Sequence, residues 1–188
     1  MKRIKAFWLA LAIGLGISMT LCCVQAASQR QLSLKLIRLH ILANSDSEED
    51  QAVKLKVRDA VLKAGIDIPP DQAALKKLEE AAESCLAYNG YDMEASASYE
   101  DIFIDTRDYD GFSLPAGYYK AVRIVIGEGK GRNWWCVVYP SLCTGFAEAE
   151  ASGVLTDDEL SYIKKEGEKY IFRFKIQEII SDIGEMLL

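Results

Sequence analysis

Between Phe7 and Val24 the chain carries no charged residue, and Lys2, Arg3 and Lys5 stand directly before that run. An apolar stretch of about 20 residues has to leave water, by crossing a bilayer or by being removed as a secretory signal. Gln25, Ala26 and Ala27 follow, and Val24 and Ala26 occupy the small-residue places of a site cut after Ala26. Residues 1–26 are therefore read as a signal peptide or membrane anchor, and 27–188 as a single exported domain. Gly14, Gly16, Ser18 and Thr20 weaken the run as a permanent helix and favour cleavage. Positive charge ahead of an apolar run stays in the cytoplasm, so both versions export the remainder. Cys22 and Cys23 suggest a lipoprotein signal, but Leu21 is bulky where that signal wants a small residue.

The remainder is long enough for one core of useful size. With a net charge of −6 and no dense run of Lys and Arg, the chain is a poor match for nucleic acid. Contact with a membrane is expected only through the N-terminal segment. His40 is the single histidine, which excludes any zinc site or catalytic dyad needing two imidazoles.

Ile37, Leu39, Ile41 and Ala43 alternate with Arg38 and His40, a strand pattern over 36–43. Asn44-Ser45-Asp46-Ser47 breaks it, and Ser47 followed by Glu48, Glu49 and Asp50 predicts a capped helix to about Lys63, ended by Gly65. A second helix starts at Pro69-Pro70-Asp71 and stops at Asn89-Gly90. Residues 91–98 read as a connector. Strands follow around Ile102–Ile104, over Tyr118–Ile126 and over Asn133–Tyr139. The turn at Gly127, Gly129 and Gly131 joins the last two as a hairpin. Thr156 caps a short helix, and 170–187 reads as a strand and then a helix. The fold class is α+β: an antiparallel sheet with helices packed against it, after the N-terminal segment. No internal repeat occurs.

The chemical motifs fail on their spacing. Asp46, Glu48 and Asp50 resemble a calcium loop, but Gln51 and Val57 stand where glycine and a bidentate glutamate are needed. In Asp105-Thr106-Arg107, arginine replaces the glycine that lets aspartic-protease carboxylates approach. The glycines at 127, 129 and 131 precede a strand and match no phosphate fingerprint. No metal, cofactor or catalytic residue is expected. Cys136 and Cys143 flank a short segment turned by Pro140, and a disulfide there would contribute about 2–3 kcal/mol. Trp134 and Trp135 point to opposite faces of a strand, so one is expected in the core and the other as an exposed anchor.

Several blocks are specific. Arg38-Leu39-His40-Ile41-Leu42-Ala43-Asn44-Ser45-Asp46-Ser47, with Asp50-Gln51 and 55–61, resembles the stage II sporulation protein R family. Leu114-Pro115-Ala116-Gly117-Tyr118 is similar to a second block of that family. So are Gly127-Glu128-Gly129-Lys130-Gly131 with Asn133-Trp134-Trp135-Cys136-Val137, and Arg173-Phe174-Lys175-Ile176-Gln177-Glu178. The resemblance implies a signalling protein of endospore formation, exported from the forespore into the space between the forespore and mother-cell membranes. There it would activate a membrane-embedded aspartic protease, which processes the precursor of the mother-cell sigma factor E. The chain is then a ligand rather than an enzyme, with His40, Asn44, Asp46, Trp134 and Trp135 as candidate contacts. Competing readings are an extracytoplasmic envelope enzyme of the cell-wall hydrolase type, whose carboxylates such as Asp105 and Asp108 would converge in a cleft, and a structural envelope module.

Overall fold

The computed structural model describes residues 2–109, 111–142, 151 and 153–164. Helix α1 (Lys2–Lys35) contains the apolar run, and it is long and apolar enough to cross a membrane. Its last turns belong to the folded body: Leu32 is buried, as is Leu36 just beyond the helix, and Lys35 Nζ lies 2.7 Å from Glu159.

Strand β1 (Ile37–Leu42) follows the alternation read in the sequence. Helix α2 (Glu48–Ala64) begins at the Ser47 cap, whose hydroxyl accepts from the Asp50 amide, and ends at Gly65 with φ 78°. Helix α3 (Gln72–Tyr88) is capped by Asp71. These starts are legible because a short polar side chain satisfies an orphan amide within its own turn.

Strand β2 (Ala95–Ile104) begins earlier than expected, and Ala95–Ser98 is strand rather than connector. Its propensity is poor, but it pairs along its length with β5, and Glu79 of α3 accepts from the Ala97 amide at 2.8 Å on the outer edge. A short ribbon, β3 (Arg107–Asp108) with β4 (Ser113–Leu114), precedes β5 (Gly117–Ile126) and β6 (Asn133–Tyr139). Helix α4 (Asp157–Ile163) carries the expected Thr156 cap as a full capping box with Glu159. The strand and helix expected over 170–187 lie outside the described residues.

The sheet order is β2-β5-β1-β6. The class is α+β and the pairing mostly antiparallel, as expected, but β1 and β5 run parallel. The expected hairpin does not form. β1 lies between β5 and β6, so the segment joining them passes over the end of β1.

Apolar layers cover both faces. On one, Leu39, Ile41, Val122 and Ile124 meet Val53, Val57 and Val61 of α2 and Leu78, Ala82 and Leu86 of α3. On the other, Tyr119 and Val137 meet Leu32, Leu36, Ile104, Phe112, Leu114, Leu160 and Ile163. This second layer covers one end of its face. Beyond it, Val125, Leu42, Ser98, Arg123 and Trp135 are only half-buried.

Candidate functional site

The crossing over β1 joins two of the family-like blocks. The Lys130 amide donates to the Asn44 carbonyl at 3.1 Å, and the Gly131 amide to that of Ala43 at 2.9 Å. Asn44 Oδ1 accepts from the Glu128 amide at 3.0 Å, and Asp46 Oδ1 from the Arg132 amide at 2.7 Å. Asp50 anchors the near side, its Oδ2 accepting from Asn44 Nδ2 at 2.9 Å and Ser45 Oγ at 2.6 Å. Those hydrogen bonds, Ser45 first, hold the Asp50 carboxyl below its ordinary range. Buried Lys54 ties the far side, donating to Gln51 Oε1 at 2.7 Å and the Arg132 carbonyl at 2.8 Å. Its desolvation lowers the ammonium pKa.

Asn44 and Asp46 thus hold a chain crossing together. Asp50→Ala is expected to destabilise the fold by about 2 kcal/mol, since it strands two donors that now bond a charged group. Urea unfolding checks this, and an unchanged midpoint would show that the crossing holds without its anchor.

His40 lies on the other sheet face, cross-strand from Trp135. Their rings stack at 3.6 Å between centroids and 7° between planes. His40 Nε2 is 3.0 Å from Asn133 Oδ1; with that oxygen as acceptor, Nε2 carries the proton and Nδ1 keeps a free lone pair. Nδ1 is buried without a hydrogen-bond partner. Burial is the main cause that lowers the imidazole pKa to about 4, so the ring is neutral at neutral pH. Asn133 and Arg132 are consecutive, so the stack and the crossing are linked by one stretch of backbone.

Arg38, two residues before His40 on the same face, is fully buried. Its Nε donates to the Cys136 carbonyl at 3.2 Å and its Nη2 to the Tyr109 hydroxyl, while the rings of Tyr109 and Tyr119 lie 5.5 and 5.1 Å from its guanidinium carbon. Desolvation lowers its pKa and raises those of Tyr109 and Tyr119.

Among the five candidate contacts, the structure brings His40 and Trp135 together, places Asn44 and Asp46 at the crossing, and sends Trp134 to the helix-covered face. There the Arg58 guanidinium lies 5.2 Å from the Trp134 ring centroid. Neither tryptophan is the exposed anchor expected; both are half-buried at the rims of opposite layers. Cys136 is buried in β6, and its expected partner Cys143 lies outside the described residues. Sequence reasoning missed Arg123, which β5 sets beside His40, and Asp50 as anchor of the crossing. Only the strand order reveals the first; the carboxylate at the cap was the available signal for the second.

The blocks that meet here also match known proteins. The family model for stage II sporulation protein R (spore_II_R) matches residues 33–149. Stage II sporulation protein R of Bacillus subtilis (strain 168) is 36% identical over 147 residues, covering 72% of this chain. The chain spans 65% of that relative's length. No solved structure matches. The match runs from the end of α1 through β6, taking in both sides of the crossing, and on that evidence the chain belongs to the stage II sporulation protein R family.

Proposed function

We propose that this chain is an exported signalling protein of sporulation that activates a membrane-embedded aspartic protease and so causes processing of the mother-cell sigma factor E precursor. Membership of the family is the observation that carries the reading, since the family's name ties it to sporulation. The apolar α1 supports export, and in this reading the chain leaves the forespore for the space between the two membranes. The folded body acts as the ligand, and catalysis belongs to its receptor.

An aspartic protease works when two carboxylates share a proton at close range. A ligand that binds the assembled arrangement better than the open one shifts the population toward it, by no more than that difference in affinity. The face carrying His40 and Trp135 supports this role better than the crossing, because the polar groups of Asn44 and Asp46 are engaged within the chain. The Cys136–Cys143 disulfide belongs to the same reading, since export places both thiols in an oxidising space.

The test is reconstitution in a non-sporulating bacterial host making the protease and the sigma factor precursor. Immunoblots should show precursor cleavage with the full chain and none with residues 27–188 retained in the cytoplasm. Absence of cleavage with exported, folded protein would overturn the reading.

A further inference from the structure

The second sheet face carries more unsatisfied donors than its own residues can use. Trp135 Nε1, Arg123 Nε, Arg107 Nε and Arg38 Nη1 are all buried without a hydrogen-bond partner. The pairing registers place Ser98, Arg123, His40 and Trp135 in one row across the sheet, with Glu100, Ala121, Arg38 and Val137 in the next. Arg107 and Arg123 lie close enough to His40 to act on its charge, and Arg107 acts on Arg38 too. The two rows therefore hold two guanidiniums, Arg123 and Arg38, against one carboxylate, Glu100, and Arg107 adds a third guanidinium from β3, beside Asp108. Glu100 is partly engaged by Ser98 Oγ at 3.0 Å and reaches Arg123 Nη1 only at 3.4 Å.

Buried charge is ordinarily paired, and a buried donor left empty forfeits the hydrogen bond it had with water. A chain of net charge −6 that sets Arg123 on the half-open part of one sheet face, with Arg38 buried next to it and Arg107 on the adjoining ribbon, has a local field there opposite in sign to the whole. The site also contains one empty acceptor, His40 Nδ1. An occupant that satisfies it must bring an anion and an N–H donor together. A sulfate dianion brings only the first, and hydrogen phosphate carries its O–H on the same small ion rather than on a separate group. An acidic residue within a peptide brings both, its carboxylate for the guanidinium and indole donors and a backbone amide for the imidazole. Half-buried Leu42 and Val125 flank the row and suit an apolar neighbour in the same peptide.

We propose that the face formed by His40, Trp135, Arg123 and Arg107 binds an acidic peptide segment of a protein partner, taking one carboxylate side chain between the two arginines and the indole N–H. Arg123 is the group that moves. Its side chain is 38% exposed, and leaving its long contact with Glu100 turns Nε toward the incoming carboxylate. Arg38 stays buried beneath the site and adds to its positive field. That the segment belongs to the activated protease rests on the activator reading above; that the face takes a carboxylate does not.

The experiment uses the full chain, 15N-labelled, in micelles of an uncharged detergent, and follows the indole and arginine Nε–H signals, with Trp135→Phe assigning the Trp135 indole. The probe is acetyl-Leu-Glu-Leu-amide, and acetyl-Leu-Gln-Leu-amide and inorganic phosphate are the comparisons. The Glu peptide should shift the Trp135 and Arg123 signals saturably and bind at least ten times more tightly than the Gln peptide. Arg123→Gln should lose that preference at an unchanged melting temperature, and Trp135→Phe, which keeps an aromatic ring and removes the N–H, should weaken binding severalfold. Equal binding of the two peptides, equal shifts from phosphate, no saturable shift, or full binding by Arg123→Gln would each overturn the proposal. The reconstituted host separates the two readings: peptide binding without precursor cleavage by the wild type sinks the activator and leaves the site. Cleavage undiminished by Arg123→Gln, with no peptide shift, sinks the site and leaves the activator.

Discussion

Gly131→Ala is expected to lower stability by about 3 kcal/mol, at the upper end of what overpacking costs. A Cβ at that position would stand 2.1 Å from the Ser45 carbonyl oxygen, 2.6 Å from its carbon and 2.9 Å from Ala43 Cβ. The first two are backbone atoms fixed between β1 and the Ser47 cap, so no rotamer change relieves the overlap. Gly90→Ala is the control. Gly90 has φ 82° but nothing within 4 Å, so its substitution costs only the positive-φ backbone penalty of about 1–2 kcal/mol. Urea midpoints of the two variants separate close approach from conformational strain. Equal midpoints would mean that the two chain segments at the crossing part easily, and that the crossing is not a point of close packing.

The second large effect is a loss of stability on mild acidification. His40 has its pKa lowered from 6.5 to about 4 in the fold, chiefly through desolvation. Between those two values the unfolded chain binds a proton that the folded chain does not, so stability rises with pH across the window and falls as pH drops through it. The full difference is about 3 kcal/mol, complete below pH 4. Asp50 has its pKa lowered from 3.8, so its own contribution fades only at lower pH, beneath the histidine window. His40→Phe retains the stack on Trp135 and does not titrate. From pH 6.5 to about 5, above the range where Glu128 and Glu159, both lowered from 4.5, contribute, its unfolding free energy should be nearly flat while that of the wild type slopes, and parallel slopes would show that His40 is not the group responsible.

The helix starts at Ser47, Asp71 and Thr156 were legible because a cap is a contract between neighbours in sequence: the side chain and the amide it satisfies lie within one turn. The alternation of β1 and the existence of β5 and β6 were legible for the same reason, since period-2 patterning is local. What the residues did not disclose was who pairs with whom. Three glycines between two strands describe a hairpin turn and a crossing loop equally well; the difference is whether β1, some eighty residues upstream, has entered between them. Ala95–Ser98 has no local signal for a strand and acquires it from β5 on one side and Glu79 on the other. The candidate contacts divide along the same line. His40 and Trp135 were each conspicuous in the sequence, but their stack, and the presence of Arg123 beside it, follow from strand order alone. Two tryptophans on opposite faces were expected to divide into one core and one exposed residue; each instead lies at the rim of the layer on its own face and is half-buried.

The insertion of β1 between β5 and β6 has a consequence for the order in which this chain can fold. Synthesis delivers the polypeptide from its N-terminus, so β1 emerges first, yet both its sheet partners lie beyond residue 116. Until then it is an apolar strand with two unpaired edges, and helices α2 and α3 have only half a surface to pack on. Non-local pairing of this kind slows folding and prolongs the exposure of strand edges. β6 completes the sheet only after residues 127–132 have passed across the exit of β1. The last strand to dock therefore brings Trp135 onto His40, and the face proposed for the partner comes into being only when the sheet is finished.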